Sequence, residues 1–215
     1  MKQPAFPHLA RPSDGYVFVV TYGLSGDVGL QDLINRLDGV CLRGENGGVI
    51  NYIADAWTAT AEAAGHDGAA FAHLNQLGWH LADAFAGSVL ALPDGIRFGG
   101  FREIRWSEDP AEFERRLDFL YSFFPNARFV FHSRTPEDVA GLGWWAEQPS
   151  DEVVASLSRR CALFDAYLVE YPNRGIRLDY DEYIAAPDEL APLFELFGQP
   201  FSRSVVDRWI KDQRA

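Results

Sequence analysis

Charged side chains cluster just after short apolar runs in this chain, where a parallel sheet would hand them to one rim. Arg43-Gly-Glu-Asn46 follows Val40–Leu42, Arg102-Glu-Ile-Arg105 follows Ile96–Phe101, and Ser133-Arg-Thr135 follows Ala127–His132. Glu103, between Arg102 and Arg105, is a candidate general base that could take a proton from an acceptor hydroxyl; a salt-bridged strand end is the alternative. Glu45 could act as a base, orient a substrate amine, or pair with Arg43. His132 ends a strand beside Arg134 and is a proton-transfer candidate, or else a hydrogen-bonded core histidine. Arg134 is the best anion ligand, with hydroxyls from Ser133 and Thr135 and a helix opened by Pro136. An ion pair with Glu137 or Asp138 is its other reading. Arg43, Arg102 and Arg105 are the cations available to a substrate.

A second source of chemistry is Tyr16–Gln31, a buried strand feeding a glycine-rich turn that opens a helix. Backbone N–H groups at such a helix start, helped by the helix dipole, cradle phosphate-like anions. Ser25, Gly26 and Asp27 would line that cradle. Yet the turn holds no Lys or Arg, and Asp27 stands where an anion would dock. Asp27 reads either as an N-cap for the helix's free N–H groups or as a built-in anion filling the cradle. Leu24 cannot replace an ammonium or guanidinium.

Tyr22, Trp144 and Trp145, with Trp79 and Trp106, could line an apolar pocket, although aromatics at helical spacing more often fill a core. His66, His73 and His80 recur every seven residues, which sets them about 10 Å apart along a helix, too far to share a metal ion. No metal site is expected. Cys41 and Cys161 have neither metal nor redox spacing and read as buried thiols in a reducing compartment.

The elements that must position these residues alternate. Strands are expected at Tyr16–Tyr22, Val40–Leu42, Ile96–Phe101, Ala127–His132 and Gly175–Asp179. Helical patterns cover Leu30–Leu37, Gly48–Ala64, Ala69–Ala86, Pro110–Phe123, Pro136–Leu142, Asp151–Tyr171, Pro187–Phe197 and Ser202–Lys211. Asp109-Pro110 and Thr135-Pro136 supply helix-start signals. The pattern argues for one α/β domain over 1–215, residues 1–14 being an N-terminal extension, with a mainly parallel central sheet flanked by helices. At 215 residues and 47% hydrophobic, the chain can fill one such core. Its formal charge of −12 and pI near 4.8 argue against nucleic acid and anionic membrane as partners. No leader or membrane span is read, and a cytoplasmic protein acting on a small molecule is expected.

Four of these segments, Thr21–Gly26, Val40–Asn46, Gly100–Trp106 and Phe131–Val139, occur in an order and spacing that resembles bacterial sulfotransferases. Arg177-Leu-Asp-Tyr-Asp-Glu-Tyr183 and the helices after it are similar too. The resemblance spans nearly the whole chain. It implies a P-loop α/β fold and, in ordinary members, sulfuryl transfer from phosphoadenosine phosphosulfate (PAPS) to a hydroxyl or amine. It also implies a Lys or Arg at Leu24, Ser or Thr at Asp27 and Val28, and a donor-holding serine near Leu142. All of these are missing here, while Arg134 is kept. The expectation is a divergent family member, repurposed for small-molecule biosynthesis and using PAPS poorly or not at all. A working PAPS-dependent sulfotransferase, with Arg102, Arg43 or Arg105 replacing the loop cation, is the alternative, and a non-catalytic ligand-binding protein the third reading.

Overall fold

Tyr16, Phe18 and Val20 pack into one hydrophobic layer, and Val17 and Val19 into another. A strand that alternates faces yet is apolar on both must be covered on both sides. This strand, β1 (Gly15–Val20), is fully buried at the centre of a five-stranded sheet. The computed structural model describes residues 5–66 and 73–213. With β2 (Val40–Arg43), β3 (Phe98–Glu103), β4 (Arg128–Ser133) and β5 (Gly175–Asp179), the sheet has the order β2-β3-β1-β4-β5, every neighbouring pair parallel.

Helices make the crossovers. α1 (Asp27–Asn35) joins β1 to β2; α2 (Val49–His66) and α3 (Leu74–Phe85) lie between β2 and β3; α4 (Pro110–Phe123) joins β3 to β4. Between β4 and β5 come α5 (Pro136–Ala140) and α6 (Ser150–Glu170), and after β5 come α7 (Tyr180–Ala185), α8 (Ala191–Leu196) and α9 (Arg203–Gln213). Leu117 of α4 and Leu157 and Phe164 of α6 pack on the Phe18 side, while Leu33 of α1, Tyr183 of α7 and Trp209 of α9 pack on the Val19 side. α4 starts as its sequence demands: the Asp109 carboxylate accepts from the Glu112 N–H at 2.9 Å and Pro110 fills the first turn. Among the described residues, no helix is long and apolar enough to cross a membrane.

The α/β parallel architecture is therefore as the sequence indicates, with shifts at the ends. β1 stops at Val20, releasing Thr21 and Tyr22 into the turn, and β3 runs two residues beyond Phe101. The Ala69–Ala86 pattern is realised from Leu74 onward, and residues 69–72 lie outside the described residues. α7 had no counterpart among the expected helices.

Gly100 permits the β1–β3 pairing. A Cβ there would lie 1.8 Å from the Val17 carbonyl oxygen, and φ is +156°. Gly100→Ala should force the two central strands apart at a cost of about 3 kcal/mol, a Tm loss of roughly 6–12 °C for a chain of this size. Thermal unfolding checks this; a loss under about 2 °C would show that the strands adjust freely.

The chain leaves β1 for the β2 edge, returns to β3 beside β1, and then crosses to β4 on the other side. That reversal puts a crevice beyond the carboxyl ends of the central strands.

Candidate functional site

The turn after β1 has the backbone of a cradle. Gly23, Leu24 and Gly26 all take positive φ, at 79°, 57° and 88°. Gly26 is the N-cap of α1, and the first hydrogen bond of the helix runs from the Leu30 N–H to the Gly26 carbonyl at 3.0 Å. The N–H groups of Asp27, Val28 and Gly29 precede that bond, as at any helix start. Gly26 also has no room for a side chain, since a Cβ would lie 2.3 Å from the Tyr180 ring.

Asp27 is not the cap. It sits one residue inside the helix, 2% exposed, and its carboxylate turns to side chains: the Ser25 hydroxyl donates to it at 3.4 Å and Arg102 pairs with it. The capping expectation fails because Gly26, with left-handed backbone, already occupies that position. Arg102 is buried in turn. Its Nη1 goes to Asp27, its Nη2 donates to Glu45 at 3.2 Å and its Nε to the Gln31 side-chain oxygen at 3.0 Å. Gln31 lies one turn after Asp27, a spacing that puts both on one face of α1. Glu45 closes the network by accepting from Arg105 at 2.8 Å.

Glu103 does not reach the cavity as the expected general base would. It is wholly buried, and its two oxygens accept from four backbone N–H groups: Ile104 (2.9 Å) and Arg105 (3.1 Å) on one, Gly48 (3.0 Å) and Asn46 (3.1 Å) on the other. Arg105 adds a fifth contact at 3.2 Å. With its lone pairs filled, this carboxylate pins the loop after β2 to the end of β3. Arg43 is also removed from the substrate set. It donates to the carbonyls of Leu90 and Ala91, both at 2.8 Å, and so ties down the end of the helical stretch after α3.

His132 is fully buried. Its Nδ1 meets the Ser25 hydroxyl at 3.2 Å and its Nε2 the Tyr183 hydroxyl at 3.0 Å, while Ser25 reaches Thr21 at 2.9 Å. Burial, reinforced by the positive charges of Arg177 and Arg102, lowers its pKa to about 3, so it is neutral at pH 7 and walled off from any substrate. The core reading is the one realised, and Ser25 is likewise a buried member of this chain of hydrogen bonds. Tyr22 is a strut: its hydroxyl donates to the Arg134 carbonyl and accepts from the Arg134 N–H at 2.8 Å. Arg134 lies over the Tyr180 ring at 4.8 Å, with Asp181 and Asp138 at 3.7 and 3.8 Å. Those ion pairs are long, and its buried Nε has no hydrogen-bond partner.

Around the turn is a cavity of about 530 Å³ lined by Gly23, Leu24, Gly26, Asp27, Val28, Gly29, Asp32, Glu45, Arg102 and Trp144. Of Glu45, Glu103, Arg102 and Arg134, only Glu45 and Arg102 line this cavity; Arg134 lies over the Tyr180 ring, which itself packs against Gly26. The tryptophans divide. Trp144 is on the wall, against Gly23, while Trp145 packs inward on the core. Leu24 turns to Gly143, where a Cβ would lie 2.9 Å from it. Among the described residues, no group of three His, Cys, Asp or Glu side chains could hold a metal ion. His80 packs edge-on to Phe6, and the His66 side chain lies outside the described residues. Gln31, Asp32, Tyr180 and Tyr183 were not among the candidates. Tyr180 and Tyr183 fall in the Arg177–Tyr183 segment, which carried no assigned role.

No protein-family model matches the sequence, and no curated protein matches it. Among solved structures, mouse sulfotransferase SULT7A1 complexed with PAP matches with a TM-score of 0.54 at 13% sequence identity, over 95% of this chain and 66% of that one. The chain has a sulfotransferase-like fold. It spans just under two thirds of the mouse protein's length. In this sulfotransferase-like fold, the cavity beside the β1–α1 turn brings the cradle together with the ionisable side chains of Asp27, Asp32, Glu45 and Arg102.

Proposed function

We propose that this protein acts on a small organic molecule in the cavity beside the β1–α1 turn, without PAPS as donor. The buried Asp27–Arg102 pair at the start of α1 carries this reading. A sulfate or phosphate group entering the cradle would meet a carboxylate at the helix start. The one guanidinium on the wall is already shared by Asp27, Glu45 and Gln31. Leu24 and Val28 offer alkyl surface in place of a cation and a hydroxyl. The residues present therefore do not fit the donor, and losing a single such stabiliser typically lowers rates by about 10²–10³.

Of the three expected proton-transfer groups, Glu45 alone is on the cavity wall, so acid–base work falls to it. Arg105 and Arg102 hold its two oxygens from one side. Use of PAPS remains the second reading, favoured by the likeness to a sulfotransferase complexed with PAP and by Arg134; it requires Arg102 to release Asp27.

Calorimetry with adenosine 3′,5′-bisphosphate, the nucleotide product of PAPS, separates the two. The parent chain should give no binding, and micromolar or tighter binding would overturn the proposal. Asp27→Ser frees Arg102 for an external anion. Sulfate should then raise the Tm of that variant and leave the parent unmoved; saturation at 100 Kd corresponds to about 2.7 kcal/mol.

A further inference from the structure

We infer that the molecule taken by this cavity is a cation, an amine or quaternary ammonium with an apolar body. This rests on the reading above that the cradle is closed to PAPS. Three carboxylates, Asp27, Asp32 and Glu45, share the lining with one guanidinium, Arg102. Arg102 already spends three of its five N–H groups on Asp27, Glu45 and Gln31, and its charge is shared between two carboxylates. Asp27, in the first turn, offsets the positive end of α1 that would otherwise attract anions.

The other two carboxylates are reachable. Asp32 and Glu45 are 50% and 30% exposed, and their partners outside the cavity, Arg36 and Arg105, are 41% and 51% exposed. Ion pairs so open to water are worth about 0–1 kcal/mol. An arriving cation can share those carboxylates at little loss, whereas an anion would face them with only a guanidinium already paired to two carboxylates in compensation.

Trp144 supplies the second half of the recognition. It is 46% exposed on the cavity wall, and an indole face is the strongest neutral partner for a cation, most of all for a methylated ammonium. Leu24 and Val28 give the apolar body of the ligand a surface to cover. The formal charge of −12 adds long-range attraction of the same sign. The fold's anion cradle has thus become a cation site.

Hexyltrimethylammonium and hexanesulfonate, matched in chain and opposite in charge, test this on the full chain by calorimetry and tryptophan fluorescence. The ammonium should bind at least tenfold more tightly, with the advantage shrinking as salt rises. Glu45→Gln and Trp144→Leu should each weaken it at least threefold, Trp144→Phe less, and Glu62→Gln, away from the cavity, not at all. Circular dichroism confirms that each variant is folded. Equal or tighter binding of the sulfonate, binding of neither probe, or an unchanged preference in Glu45→Gln would overturn the inference. The bisphosphate titration runs alongside. Binding of that nucleotide defeats the closed-cradle reading, while its silence with a preference for sulfonate defeats only the cation assignment.

Discussion

Arg102→Met should destabilise the protein by about 3–5 kcal/mol, because it strands the Asp27 carboxylate in the interior without its partner. Asp27 is 2% exposed and the Arg102 side chain 8%, so neither charge can be rescued by water. Buried pairs are costly to break and cheap to replace whole. Asp27→Leu combined with Arg102→Met should therefore lose less stability than Arg102→Met alone. Urea unfolding of the parent, both single variants and the double variant gives the coupling directly. The two positions are in contact, so a non-additivity of about 1–3 kcal/mol is expected. Additive losses would mean that the pair does not seat the loop, and the closed cradle would lose its basis.

The strands were legible because their apolar runs are short, branched or aromatic, and bounded by turn residues. All five lie where those runs lie. β3 was cut short in the sequence because Arg102 and Glu103 look like surface charge. In the fold both are buried, each made tolerable by partners that come from other segments: Asp27 and Glu45 for one, the backbone of the loop after β2 for the other. No local pattern announces such partners. The same reason explains Glu103's misplacement as a base. Its place at the end of a strand was right; two of the four N–H groups that fill it, those of Asn46 and Gly48, come from residues brought there by tertiary structure.

Asp27 shows the opposite limit. Its type and place at a helix start favour capping, and only the left-handed Gly26 before it decides that the carboxylate is free to pair with Arg102. Trp144 and Trp145 are adjacent in a single 3₁₀ turn, so a one-residue difference sends one to the cavity and the other to the core. Arg43 and Arg102 both lie in the last residues of their strands, yet only the strand nearer the centre of the sheet delivers its arginine to the cradle.

Stability should fall as pH drops below about 6.5, and His132 should account for a separable part of that loss. Its pKa is lowered to about 3 in the folded protein, first by burial and then by Arg177 and Arg102, with Asp181 opposing. The unfolded chain has an ordinary histidine near 6.5. Above that value both states are neutral and the contribution is complete. Below it the unfolded state takes up a proton that the folded state refuses, so stability declines by up to about 1.4 kcal/mol per pH unit until the folded pKa is reached. Between pH 6.5 and pH 4 that amounts to about 3 kcal/mol. His132→Gln removes the titration while leaving groups that can meet Ser25 and Tyr183. The variant should be less stable than the parent at pH 7, with the gap closing or reversing by pH 4. Urea unfolding across that range reads the difference, in which the other histidines cancel. A gap that stays constant from pH 7 to pH 4 would show that His132 takes up its proton as readily in the folded protein as in the unfolded chain, and that burial does not hold the ring neutral.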